Sequence, residues 1–135
     1  MNIALTYVLA ALVLLGGCAG PAQAQWEDKV KVEIESVGLH PGMEPGMYVC
    51  ALGHLHIKGT VQNVSRVALG RVEVRGKAFD ADGKLLGAAA ASTKPPVLNP
   101  GAKADINLEF LTVTGPLIEQ AKKHEVTVVK APVSQ

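Results

Sequence analysis

An all-β domain behind an export signal is what this sequence predicts, on three observations. Apolar and polar residues alternate along several short runs, most clearly over residues 54–62 and 103–110. Alternation with period two is the mark of a half-buried strand, because successive side chains point to opposite faces. The runs are separated by short turns rich in Gly, Pro and Asn, the spacing expected of a sandwich or barrel. Finally, 135 residues is the length of one domain. Aromatics are confined to Tyr7, Trp26, Tyr48, Phe79 and Phe110, so the core must rest on Val, Leu, Ile and Ala.

The N-terminus carries the address. Residues 3–17 are almost wholly apolar and uncharged, about fifteen residues against the roughly twenty that a membrane-crossing helix needs. That is the length of a signal-peptide hydrophobic region. Two processing sites compete. Leu15-Gly16-Gly17-Cys18 looks like a bacterial lipobox, which would make residues 1–17 the signal and Cys18 the lipidated residue. Ala22-Gln23-Ala24 is an A-x-A site that would remove residues 1–24. The lipobox is the favoured reading, because a cysteine falls where one is required. Ala19 after the cysteine resembles the outer-membrane sorting pattern of Gram-negative lipoproteins, and a soluble periplasmic or secreted product is the alternative.

Residues 18–28 are small and polar and read as a flexible tether; the sandwich is expected over 29–131. In residues 29–37, Val30, Val32 and Ile34 alternate with Lys31, Glu33 and Glu35, a strand with a charged solvent face. Residues 39–51 (LHPGMEPGMYVCA) break the pattern with two Pro-Gly-Met repeats, which mark turns and not strands. This stretch and the strand after it concentrate the donor atoms: His40, Met43, Met47, Cys50, His54 and His56. Thioether, thiol and imidazole together suit copper(I). Against that stand blander roles: Met as a core gap-filler, Cys as a small buried hydrophobe, and two His on a solvated strand face. With Cys18 lipidated or removed, Cys50 has no partner, and no intrachain disulfide is expected. A buried thiol, an intermolecular pair and a metal ligand all remain open for it.

Residues 54–87 then read as strand, strand, turn and the start of a third strand. Leu55, Ile57 and Val61 oppose His54, His56, Lys58, Thr60 and Gln62; Val72, Val74 and Ala78 oppose Arg71, Glu73, Arg75 and Lys77. Asp80-Ala81-Asp82-Gly83 supplies a hairpin turn. Asn63 is read as a turn former. The string Ile57-Lys58-Gly59-Thr60-Val61-Gln62-Asn63-Val64-Ser65 resembles the opening of FxLYD-type domains. Val72-Glu73-Val74, Phe79-Asp80-Ala81-Asp82-Gly83-Lys84 and Val97-Leu98-Asn99-Pro100-Gly101 are similar to that family's next strand and turns. The chain departs at the name-giving motif, where it has Ala78-Phe79-Asp80. The resemblance, over about residues 54–111, implies a small immunoglobulin-like β-sandwich of about seven strands in a bacterial exported protein or lipoprotein, with no catalytic apparatus.

Residues 85–93 (LLGAAAAST) have helical propensity in their alanines. They are too short to nucleate a helix and are closed by Pro95-Pro96, so a strand with small side chains facing the other sheet is expected. Ala104, Ile106, Leu108 and Phe110 alternate with Lys103, Asp105, Asn107 and Glu109 in the clearest strand. Pro116 suits the start of a short helix over 117–124 with His124 near its end, residues 125–130 a last strand, and 131–135 a frayed end.

The formal charge of +1, with both signs alternating along strands, leaves no electrostatic footprint for nucleic acid. No nucleophile elbow, phosphate loop or paired-carboxylate constellation stands out, so a non-enzyme without cofactor is expected. The leading expectation is a non-catalytic cell-envelope interaction module, held to the membrane by its lipid and binding a protein partner. The alternative is a periplasmic copper-binding protein using the Met/Cys/His-rich stretch.

Overall fold

A computed structural model describes residue 26, residues 28–36 and residues 42–135. The expected export signal, Cys18, nearly all of the expected tether and His40 lie outside the described residues. Among the described residues, seven strands form two antiparallel sheets: β1 (Val30–Ile34), β2 (Met47–Val49), β3 (His54–Asn63), β4 (Glu73–Phe79), β5 (Leu85–Ser92), β6 (Lys103–Thr114) and β7 (Lys123–Lys130). A short helix α1 (Pro116–Gln120) joins β6 to β7.

β3 is the centre of the first sheet. Residues 54–62 of β3 pair with β6 on one side, and its other edge is shared, Gly59–Asn63 with β1 and Leu55–Ile57 with β2. The second sheet runs β5-β4-β7. The alternating apolar residues point inward as their period demands: Leu55, Ile57 and Val61 from β3, Val74 and Ala78 from β4, and Ala104, Ile106, Leu108 and Phe110 from β6 are all buried. The sheets approach closely over Gly76 of β4, where a Cβ would stand 2.7 Å from Leu108 Cδ1 and 3.3 Å from Phe110 Cζ. Gly87 of β5 faces Val113 in the same way, with 2.7 Å to Cγ2. A side chain at either position would push the sheets apart.

The β4–β5 hairpin forms at the expected turn. Asp80 Oδ1 accepts from the backbone N–H of Asp82 (2.9 Å) and of Lys84 (2.8 Å), the local bonding that makes Asp a turn residue.

Four local expectations are corrected. Residues 47–49, inside the supposed turn region, are a strand: Met47, Tyr48 and Val49 oppose Ile57, His56 and Leu55. Three residues are too few for a period to show, yet β3 offers them a free edge. Asn63 is not merely a turn former but the fully buried last residue of β3. His124 does not end a helix: α1 stops at Gln120, and β7 starts two residues early because Lys123 and His124 pair with Phe79 and Ala78. The last residues are tied down, not frayed. Ala131 is buried, Gly70 N–H donates to Pro132 O (2.8 Å), and Ser134 N–H donates to Ala68 O (2.9 Å).

Candidate metal centre

The site grows from one hairpin. β2 and β3 are joined by Ala51-Leu52-Gly53, closed by Gly53 N–H to Cys50 O (2.9 Å) and Cys50 N–H to His54 O (3.0 Å). Gly53 has φ +85°, which completes the three-residue loop with a residue in the left-handed region. This places Cys50 directly beside His54. Strand parity then sorts the donors. Met47 is fully buried and opposes Ile57, so it belongs to the core face; His54 and His56 belong to the other. Met43 packs against the core as a partly buried residue. Of the six donors expected from sequence, the structure brings together Cys50, His54 and His56, and turns Met47 away from them.

β6 contributes what local sequence did not reveal. Its register sets Glu109 opposite His56, and between His54 and Leu55 the pairing jumps from Thr114 to Phe110, a bulge in β6 beside the site. Bulges re-aim side chains and recur next to functional sites. One donor atom each from Cys50, His54, His56 and Glu109 lies within 4.8 Å of all the others. His54 Nδ1 donates to Glu109 Oε2 at 3.1 Å, and the same oxygen stands 3.7 Å from His56 Nε2. Donors around a tetrahedral ion with bonds of 2.0–2.3 Å are about 3.3–3.8 Å apart; the second distance meets that edge, the first is slightly short of it, and the 4.8 Å limit of the cluster exceeds it.

His56 is held in place by its neighbours. Its ring stacks on Tyr48 with centroids 5.0 Å apart. Its Nδ1 donates to Asn107 Oδ1 at 2.6 Å, and Asn107 Nδ2 donates to Tyr48 Oη at 2.7 Å. A carbonyl oxygen only accepts, so Nδ1 carries a proton, and in the neutral ring Nε2 then presents its lone pair. That Nε2 is cut off from solvent and has no hydrogen-bond partner among the described residues. This is the arrangement of a metal-ligating histidine, whose other nitrogen is fixed by an outer partner. The depth of the site is graded: the side chains of His56, His54 and Glu109 are 12 %, 21 % and 44 % exposed, so the carboxylate forms the rim.

Tyr48, Asn107 and Glu109 were missed by sequence reading. Their only signal was polarity on the outer face, and nothing local says which polar residue of β6 meets which histidine of β3. A cleft of about 560 Å³ lies alongside, lined among others by Lys58, Lys94 and Lys103. It holds none of the four donors and meets the site only through Asn107. Comparison with protein-family models, characterised proteins and solved structures finds no match.

Proposed function

We propose that this protein is an exported metal-binding β-sandwich that holds one transition-metal ion on the outer face of its first sheet. The observation that carries the reading is His56 Nε2: a solvent-shielded nitrogen with no hydrogen-bond partner among the described residues, facing a thiol, a second imidazole and a carboxylate. A buried nitrogen without a hydrogen bond costs free energy, and a bound ion would offset it. Titration of the reduced protein with metal ions against a competing chelator tests the reading. One ion per chain is expected, with Cys50→Ser and His56→Ala each weakening it by about 100-fold or more. Failure of every ion tested to bind would end the proposal.

A second reading, an interaction module for an envelope protein, is favoured by Leu52 and Leu111, exposed by 80 % and 65 % in the hairpin loop and the β6 bulge that flank the site. The two readings are compatible. Two antiparallel sheets fit an all-β sandwich; the FxLYD-type, immunoglobulin-like assignment rests on the sequence resemblance alone, and the lipobox at Cys18 supports a lipid anchor, facing the periplasm if the host is Gram-negative. Cys18→Ala is expected to release the protein from the membrane fraction; equal partitioning of both forms would remove the anchor.

A further inference from the structure

Resting on the metal-binding reading, we infer that the ion is divalent zinc, and that Glu109 is the ligand that selects it over copper(I). Copper(I) was suggested by soft donors, above all the thioethers of Met43 and Met47. Met47 is fully buried on the core face of β2, and Met43 is packed against the core. In their place the fold supplies a carboxylate from the far strand. A hard, anionic oxygen contributes little to copper(I), whereas zinc accepts thiolate, imidazole and carboxylate together.

Charge points the same way. A Cys50 thiolate and a Glu109 carboxylate with two neutral imidazoles carry two negative charges, which a divalent ion neutralises and a monovalent ion leaves half compensated. Geometry agrees, because Glu109 Oε2 is placed between both imidazoles, 3.1 Å from His54 Nδ1 and 3.7 Å from His56 Nε2. Zinc in place of the proton between His54 Nδ1 and Glu109 Oε2 would have His56 Nε2 within reach as a further ligand. Zinc has no geometric demand of its own from d-electrons, so it tolerates donors set by strand register.

The competing arrangement keeps Glu109 off the metal. There its carboxylate would only orient His54 through Nδ1, leaving a three-coordinate Cys50, His54 and His56 set that suits copper(I). Glu109→Gln separates the two, since the amide oxygen can still accept from His54 Nδ1 while the charge and the strong oxygen ligand are gone. Glu109 lies at the rim, and its replacement leaves the core untouched, which circular dichroism would verify.

The test titrates the reduced full-length protein and its Glu109→Gln variant with zinc(II) and, separately, with copper(I), each against a chelator of known affinity. Zinc is expected to weaken more than about 100-fold in the variant and copper(I) less than about 10-fold. Cobalt(II) supplies a spectroscopic check: the native site should give tetrahedral d–d bands with a thiolate charge-transfer band. Glu109→Gln should alter the former and keep the latter. If zinc affinity is unchanged in Glu109→Gln, or if the native chain takes copper(I) and refuses zinc, the assignment of Glu109 falls while the metal-binding reading stands. If neither ion binds the native chain, both fall.

Discussion

Phe110→Ala should lower the unfolding free energy by about 4 kcal/mol, a large part of the 5–15 kcal/mol that holds a domain of this size together. Phe110 is fully buried and pairs with Leu55 at the centre of the first sheet. Its ring reaches across to the second sheet, where it faces Gly76 and Gly87; their Cβ positions lie 3.3 Å from Cζ and 4.0 Å from Cδ2. Neither glycine has a side chain to move into the vacated volume, so the loss falls toward the upper part of the range for aromatic truncation. Denaturant unfolding with an unchanged m-value would measure it. Gly76→Ala supplies an internal check. Alone it forces a Cβ to 2.7 Å from Leu108 Cδ1 and destabilises; in the Phe110→Ala background Leu108 can yield, and the second substitution should cost less than in the native chain. Strict additivity would contradict the packing described here.

Asn63→Ala should cost about 3 kcal/mol, for a polar and not an apolar reason. Asn63 is fully buried, and its amide uses every position it has. Nδ2 donates to Val67 O and Leu98 O, each at 2.8 Å, while Oδ1 accepts from Ser65 N–H at 2.9 Å and Ser65 Oγ at 2.7 Å. Its backbone joins the segment before β6, through N–H to Ala102 O (3.0 Å) and Gly101 N–H to its own carbonyl (2.8 Å). Truncation removes these four side-chain bonds at once, each worth about 0.5–1.5 kcal/mol net, while Leu98 O keeps Leu69 N–H and Val67 O keeps Ser65 Oγ. Asn63→Asp should be at least as damaging, because a carboxylate would face two carbonyl oxygens with no hydrogen to offer. A fall in melting temperature of roughly 12–20 °C is the expected readout. A melt within a few degrees of the native protein would show that the network contributes little. The same bonds occupy both amide hydrogens, so the Asn63 side chain is committed to the fold.

Where a residue's fate depended on its immediate neighbours, the sequence was a sufficient guide. Leu55, Ile57 and Val61, and Ile106, Leu108 and Phe110, announced their strands because a half-buried sheet imposes a two-residue period on any run long enough to show one. Asp80 and Gly83 announced their turn through bonds that reach only four residues. Cys50, His54 and His56 were visible as donors because a single hairpin holds them. The all-β class and the position of a candidate site follow from such short-range rules.

The membership of the site does not. Met47 was an equal candidate until β2 proved to be a strand; pairing with β3 then set its parity and sent its side chain into the core. Glu109 stands 53 residues after His56 and beside it only because β6 pairs with β3 in one register; a slip of one residue would turn Glu109 to the other face. Asn107 and Tyr48, which fix the proton on His56, depend on the same register. Alternation, a local property, determined that there would be strands and a polar face. Which polar side chains meet on that face was decided by strand pairing and by the close fit of the two sheets over Gly76 and Gly87, contacts that exist only once the chain has folded.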